Sequence, residues 1–477
     1  MAIFYLYTMQ FSAIQTHHLE ALRALLGADA LLTDTEQLVL RSSDHTEDLV
    51  FIPELVVVPR EVDQIAKLLR YCNQEQIALT VRGAGTGLSG GALPIHQGIV
   101  LDMQRFNKIL KIDTDNFQVT TEPGVITQVL QEAVLAHGLQ YPPDPASKGS
   151  CFIGGNIAEN SGGPRAVKYG VVKDYVLNLE IVLADGTVMW TGANVLKNAT
   201  GYNLTQLIVG SEGTLAVVTK IVLKLIPATT ANVLLLIPFR NAAEACSAVN
   251  TICLAGITPS ALEFMERDAL DWSMHFCNTT AISIPDDIQA HLLIELDGHN
   301  EEQLLAEAEQ ISELVTKYDI GELLFADTAA QKETLWQLRR KVGEAVKSNS
   351  VYKEEDTVVP RAHLPELLTY IKELGKEYGF QSVCYGHAGD GNLHVNIIKG
   401  TLSDTFWHQE LHVPIRKLFE FVHALGGTIS GEHGIGLVQK NYLDIVFSPA
   451  QIALMKAIKH VFDPKGILNP GKIFPDN

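Results

Sequence analysis

Residues 387–394 read His-Ala-Gly-Asp-Gly-Asn-Leu-His, and Gly431-Glu432-His433-Gly434 follows further along the chain. His387, His394 and Glu432 together make a two-nitrogen, one-carboxylate ligand set. Such a set suits a first-row divalent ion that keeps open positions for substrate. His433 stands beside the third ligand, and an imidazole, whose ordinary pKa is near neutral, can serve there as a general base. The chemistry implied is a metal that grips an anionic substrate and a base that removes a proton from it. These residues offer no destination for electrons.

That destination is suggested far upstream. A strand expected over 77–81 runs into Arg82-Gly-Ala-Gly-Thr-Gly-Leu-Ser-Gly-Gly91, with five glycines between 83 and 91. A glycine-dense loop directly after a strand presents backbone N–H groups to an anion, commonly a pyrophosphate. Gly85, Gly87 and Gly90 satisfy G-x-G-x-x-G, but a Rossmann fold requires a helix to open at once. Here Ala92-Leu93-Pro94 intervenes and 98–102 reads as another strand, which argues against that fold. Two further clusters follow, Gly154-Gly155-Asn156 with Asn160-Ser161-Gly162-Gly163, and Gly210-Ser211-Glu212-Gly213. Any one of them could be a tight turn. Close approach of backbone to an extended ligand accounts better for all three.

The remaining elements are read from periodicity. Helices are expected over 16–27, 61–76 and 126–137, with polar connecting sequence to residue 50. Strands are expected over 55–58, 98–102, 118–122, 179–183 and 215–225, with a hairpin turn at Ala184-Asp185-Gly186-Thr187. After Pro227 strand-like runs at 232–238, 291–296 and 322–326 alternate with charged helices at 241–255, 300–317, 328–347 and 363–377. This predicts a cofactor domain over 1–227, a substrate (cap) domain over 228–420 bearing the metal-site histidines, and a helical segment over 421–477 returning to the cofactor. No solenoid-period repeat and no low-complexity segment is apparent.

Composition narrows the function class. The chain has 477 residues, 47% apolar and 19% charged, as expected of a globular protein with two or more domains. Its net charge of −19, from 36 basic and 55 acidic residues, argues against a nucleic-acid groove. An anionic substrate must then be held by local Arg, Lys or metal. The six cysteines are scattered with no Cys-x-x-Cys pair, which argues against an iron–sulfur or thiolate–zinc site and favours reduced thiols. No run of about eighteen apolar residues predicts a membrane span. Met1–Phe11 lacks the basic region and cleavage site of a signal peptide, so a cytoplasmic protein is expected.

Taken together, Val58-Pro59, the 82–91 loop, Pro143-Asp144-Pro145, Gly154-Gly-Asn156, Asn160-Ser-Gly-Gly163, Lys168-Tyr-Gly170 and Gly210-Ser-Glu-Gly213 resemble the FAD domain of vanillyl-alcohol-oxidase-type flavoproteins. With 387–394, 431–434 and Asn469-Pro-Gly-Lys472 added, the chain from residue 35 onward resembles the D-2-hydroxy-acid dehydrogenase branch. That branch holds D-lactate dehydrogenase, the glycolate oxidase D subunit and D-2-hydroxyglutarate dehydrogenase. The resemblance implies an α+β fold: a two-part FAD-binding domain of the vanillyl-alcohol-oxidase (PCMH) type with an α+β cap domain. It implies that Arg82, Gly83, Ala84, Gly85, Thr86, Gly87, Ser89 and Gly90 hold the FAD pyrophosphate. Pro143, Gly154, Gly155, Asn160, Ser161 and Gly213 would line the rest of the flavin. FAD is expected to be non-covalent, since no histidine lies between Arg82 and Pro94. His387, His394 and Glu432 would ligate a divalent metal, zinc first and manganese or iron as alternatives. His433 would be the base that lets hydride pass to flavin N5, Asn396 would orient the substrate and Arg339 would bind its carboxylate.

In the 2-hydroxyglutarate members a lysine holds the distal carboxylate. The ungapped match places Glu354 there, which favours D-lactate or glycolate over a dicarboxylate. The electron acceptor stays open among a quinone, an electron-transfer flavoprotein, a cytochrome and an iron–sulfur subunit. Peripheral membrane contact and self-association also stay open. Alternative readings are a non-redox flavoprotein resembling alkyl-glycerone-phosphate synthase, a subunit active only in a complex, and a zinc hydrolase whose glycine loops are merely turns.

Overall fold

The computed structural model describes residues 11–46, 49–279 and 282–475. The expectation about the leading segment therefore lies outside the described residues, apart from Phe11.

Three larger sheets organise the described residues, beside a two-stranded pairing of Leu139–Gln140 with Ile226–Pro227. In the first, Leu55–Val57, Ile99–Asp102 and Leu79–Arg82 pair in parallel, with Leu31–Leu32 antiparallel at the edge. The helix Val62–Glu75 covers it because Ile65, Leu68, Leu69 and Cys72 fall on one face and bury against Leu79, Ile99 and Leu101. No helix follows the glycine loop; the chain passes from Arg82 to Ile99 without one, as the failed Rossmann test anticipated. The stretch read as polar connection to residue 50 contains three short elements, the 3-10 turn Ala28–Ala30, the edge strand Leu31–Leu32 and the helix Thr35–Leu40. Thr35–Leu40 buries none of its residues, so it carries no apolar stripe by which to be recognised.

The second sheet is antiparallel, in the order Ile109–Asp113, Gln118–Thr121, Val217–Lys224, Val176–Val182, Val188–Trp190. The helices Thr127–Leu135 and Ile153–Glu159 pack on it through Leu130, Val134, Ile153 and Ile157. Gly154 and Gly155 thus lie in the first turn of a helix, not in a free turn.

The third sheet has seven antiparallel strands in the order Leu324–Phe325, Ala231–Phe239, Ala290–Gly298, Ala261–Glu266, Gln381–Gly386, Asn392–Ile398, Tyr352–Val358. Side chains alternate across it. Leu262, Phe264, Leu393, Val395 and Ile397 bury on one face with the helices Ala242–Leu254, Glu301–Val315, Leu364–Tyr378 and His412–Ala424. Ala261, Met265, Tyr352, Val383, Tyr385 and Ile398 bury on the other face. The helix expected over 328–347 is two helices, Ala329–Arg340 and Val342–Asn349, meeting at Lys341. The division expected at 420 falls inside the helix His412–Ala424, which packs wholly against the third sheet. Further on, Ile467 and Leu468 return to the core of the first sheet.

Candidate active site

Strand alternation decides which polar residues meet. In Ala261–Glu266 the apolar face takes Leu262 and Phe264, so Glu263 must point the other way. In the neighbouring pair, Asp356 lies directly opposite His394 and Glu354 opposite Asn396. His387 sits just beyond the strand Gln381–Gly386. The register therefore gathers Glu263, His387, His394, Asp356 and Glu354 on the sheet face away from the large apolar core.

Two metal-ligand candidates and their backing groups form a chain of contacts. His387 Nε2 lies 3.1 Å from Glu432 Oε1, and His394 Nε2 lies 3.6 Å from the same oxygen. Glu263, wholly buried, stands 2.9 Å from His387 Nδ1 with either oxygen. On the far side of His394, its Nδ1 is 3.5 Å from Asp356 and 3.6 Å from Glu354. His387 thus has Nε2 toward Glu432 and Nδ1 backed by a hydrogen-bonded carboxylate, the arrangement that orients histidines around an ion, whereas His394 Nδ1 faces Asp356 and Glu354 without a hydrogen bond. The donor set fits a divalent metal, since all three ligand atoms lie within 4.8 Å of one another.

The electrostatics follow from burial. Burial opposes a charge on His387, but Glu263 and Glu432 outweigh it and raise its pKa well above the ordinary value. His394 is driven down to about 3, chiefly by burial, and is neutral as a ligand must be. Burial works against the charge on Glu432, yet His387 and His394 bring its pKa down to about 2. His433 stacks on His394 at 5.1 Å between ring centroids. Burial lowers its pKa, but Asp356, Glu354 and Glu432 prevail and raise it.

Asp356 also builds the loop that carries Glu432 and His433. Its Oδ2 accepts from the backbone N–H of Gly431, Glu432 and His433 at 2.8, 2.8 and 3.0 Å, and from Ser430 Oγ at 3.2 Å. Asn392 Nδ2 donates to the other oxygen at 2.7 Å.

Arg339 is buried, with Nη2 2.6 Å from Glu263 Oε2 and its guanidinium 5.1 Å from the Tyr385 ring centroid. Glu263 therefore orients both His387 and Arg339. Sequence reading missed it, although two glutamates in the otherwise apolar run Ala-Leu-Glu-Phe-Met-Glu are the kind of anomaly that marks a site.

Arg339, Glu354, His387, His394, Glu432 and His433 line a cavity of about 620 Å³. Its other walls are Gly83–Leu88, Pro145–Ser147, Phe152 to Glu159 (Ile153 excepted), Ser161 and Ser211–Gly213. At Gly87 and Gly155 no atom lies within 4 Å of where a side chain would begin, so bare backbone faces open space. Gly85 and Gly213 have φ of +72° and +66°, the region that favours glycine. A cavity walled by bare backbone fits an extended dinucleotide. His45, far from the loop in sequence, also lines it and donates its backbone N–H to Gly87 O at 3.1 Å.

Several expected residues lie beneath this lining instead of on it. Arg82 is buried and turns its guanidinium under Gly85, close to Asp44 and Asp102. Ser89 and Gly90 face the 436–438 segment: Ser89 O accepts from Leu437 N, and a side chain at Gly90 would meet Leu437. Pro143 offers its carbonyl to Gln131 Nε2 at 2.8 Å. Asn160, at φ 54°, ends the helix Ile153–Glu159 and accepts from Lys173 N. Asn396 is fully buried, with Nδ2 3.4 Å from Val383 O. Gly83, Ala84, Gly85, Thr86, Gly87, Gly154, Gly155, Ser161, Gly213, Arg339, His387, His394, Glu432 and His433 all line the cavity.

Comparison with known proteins accords with this division of labour. The FAD binding domain model matches residues 53–192, and the model for the C-terminal domain of FAD linked oxidases matches residues 228–473. D-lactate dehydrogenase of Anaerostipes hadrus is 38% identical, over 91% of this chain and 93% of the relative. Glycolate oxidase subunit GlcD of Bacillus subtilis is 38% identical over 91% of each. D-2-hydroxyglutarate dehydrogenase of Stutzerimonas stutzeri is 32% identical over 96% of this chain and 98% of the relative. Among solved structures, p-cresol methylhydroxylase covers 96% of each chain at 19% identity with a TM-score of 0.78, which fixes the α+β, PCMH-type fold. The chain is an FAD-linked oxidoreductase and belongs to the family of FAD linked oxidases that includes the D-lactate dehydrogenases and glycolate oxidase GlcD subunits.

Proposed function

We propose that this chain is an FAD- and divalent-metal-dependent dehydrogenase that oxidises a D-2-hydroxy acid to the 2-oxo acid. The observation that carries the reading is the meeting of His387, His394, Glu432 and His433 in one cavity with the backbone of the glycine clusters. Bound FAD would supply the acceptor for the hydride leaving the substrate carbon, and a bound divalent ion the positive centre that polarises the substrate hydroxyl. His433 takes the hydroxyl proton, and Asp356, 4.0 Å from its Nδ1, stabilises the imidazolium that results. Arg339, fixed by Glu263, pairs with the substrate carboxylate. Zinc is the first choice of ion and FAD is held without a covalent link.

D-lactate and glycolate are favoured substrates. Glu354 lines the cavity 3.6 Å from His394, so a second substrate carboxylate there would meet a like charge. The names of the D-lactate dehydrogenase and glycolate oxidase relatives support the same class. The electrons then leave to an external acceptor.

The test is an anaerobic titration of the purified protein, read by its visible spectrum, with D-lactate, glycolate, D-2-hydroxyglutarate and L-lactate in parallel. Bleaching of oxidised flavin by D-lactate or glycolate and not by L-lactate is expected. A flavin spectrum that no hydroxy acid bleaches, with the metal supplied, would replace this reading with the non-redox one. A colourless, zinc-retaining protein would favour the hydrolase.

A further inference from the structure

The segment 431–438 is held from both sides of the cavity. Asp356, on the cap sheet, takes the N–H groups of Gly431, Glu432 and His433. Glu212, in the third glycine cluster, takes those of Ile435 and Gly436, at 2.8 Å with Oε1 and 2.7 Å with Oε2. Directly after, Leu437 donates to Ser89 O at 2.8 Å, in the first glycine cluster.

The packing between these anchors leaves the segment no slack. Gly434 has φ +83°, and a side chain there would run into Glu159 Oε2 and come within 3.1 Å of Glu212 Oε1. A side chain at Gly436 would collide with the Ser89 carbonyl. Asn469 closes the arrangement from behind, donating to Glu212 O at 2.8 Å and Gly91 O at 2.9 Å.

We infer that Glu212 couples the flavin cavity to the metal triad, so that occupancy of one tightens binding at the other. Glu212 and Gly213 line the cavity, and Glu212 is hydrogen-bonded to the residues that follow Glu432 and His433 in the chain. A ligand that orders the 211–214 segment therefore orders the loop carrying one metal ligand. Such coupling is reciprocal by thermodynamic necessity. Glu212 is a positioning residue here. Both its oxygens accept an N–H, which a glutamine cannot reproduce, since its amide nitrogen would face a donor. The inference rests on the proposed function, because it presumes that the chain binds both FAD and a divalent ion.

The experiment measures the dissociation constant of FAD from the holoprotein by flavin fluorescence, with zinc bound and after zinc is removed by EDTA. In the wild type, chelation is expected to weaken FAD at least about fivefold, the lower end of ordinary coupling. In Glu212→Gln the two constants should agree within about twofold, and Glu212→Asp, with its carboxylate withdrawn by one methylene, should fall between. Should Glu212→Gln fail to fold, Glu212→Asp decides: a reduced ratio supports the assignment to Glu212 and a preserved fivefold ratio overturns it. A wild-type constant that ignores removal of zinc actually present overturns the coupling and leaves the proposed function standing. A protein from which EDTA extracts no metal overturns both. Equal weakening of FAD in both metal states of Glu212→Gln, with the fivefold ratio preserved, shows a merely structural role for Glu212 and overturns the assignment.

Discussion

At the scale of residues, the site is a set of ionisable groups with opposed tasks. His433 lines the cavity beside His387, His394 and Glu432 and stacks on His394. Replacing His433 with Asn should leave the flavin spectrum intact and slow anaerobic flavin reduction about 10²- to 10⁴-fold, the range for loss of a general base. Stopped-flow reduction by D-lactate checks this, and an unchanged rate would remove His433 as the base. Glu159 has a different part. Burial, then the neighbouring charges of Glu212 and Asp44, raise its pKa well above the ordinary carboxyl value. A raised carboxyl pKa means the folded chain holds the proton more tightly than the unfolded one. Its contribution to stability is present below the unfolded value and is lost as pH rises from there through the folded value. Glu159→Gln, which mimics the protonated form, should therefore melt at higher temperature than the wild type at pH 8, with the gap closing toward pH 5. Melting curves at the two pH values decide it.

At the scale of elements, one strand links stability to chemistry. Ala261–Glu266 buries Leu262 and Phe264 in the large core and turns Glu263 toward the cavity, where it orients His387 and Arg339. Phe264 is fully buried. Phe264→Ala should cost about 3–5 kcal/mol, as for other large aromatic truncations in cores. A urea midpoint displaced by less than about 1 kcal/mol equivalent would mean that the strand is not anchored as described. The sequence placed many helices and strands well because their apolar periodicity is strong, as in Val62–Glu75. It read 328–347 as one helix because the apolar spacing of Leu335, Leu338, Val342 and Val346 runs through the break. The break itself sets Gly343 against Tyr385, where a side chain would come within 3.2 Å of the phenol oxygen. That contact lies between residues distant in sequence.

At the scale of the whole molecule, a polar clamp joins the flavin and cap parts. Lys168 Nζ and Tyr169 Oη donate to Asp297 at 2.6 and 2.8 Å, and Arg165 Nη2 to Glu295 at 3.1 Å. Asp144, buried, accepts from Arg340 at 3.2 Å and pairs with Lys148 at 2.7 Å. Burial raises the pKa of Asp144, but Lys148, Arg340 and Arg165 overcome it and hold it below the usual value. The stabilisation is therefore present above the unfolded value and is lost as pH falls through the folded one. Asp144→Asn should cost about 1–3 kcal/mol at pH 7 by depriving the partly exposed Lys148, Arg165 and Arg340 of their buried carboxylate. The difference in melting temperature should narrow as pH drops below 4; a constant difference would show that the carboxylate charge is not what joins the parts. Among the described residues, no helix is long and apolar enough to cross a membrane.

The sequence by itself determined the residue types of the site. His387, His394, Glu432 and His433 lie in short motifs whose chemistry is local, and the glycine clusters announce close backbone approach wherever they fold. It could not determine which motif residues face the cavity. Ser89, Gly90 and Asn160 belong to the same motifs as their neighbours, yet packing turns them toward the 436–438 segment or a helix end, and Asn396, on the same sheet face as His394, is buried without lining the cavity. Nor could it pair Glu263 with His387, Asp356 with the 431–433 backbone, or Glu212 with Ile435, since each pair is set by sheet register and domain docking. Local periodicity specifies which element forms; only the tertiary structure, through register and packing between distant segments, decides what each polar side chain meets.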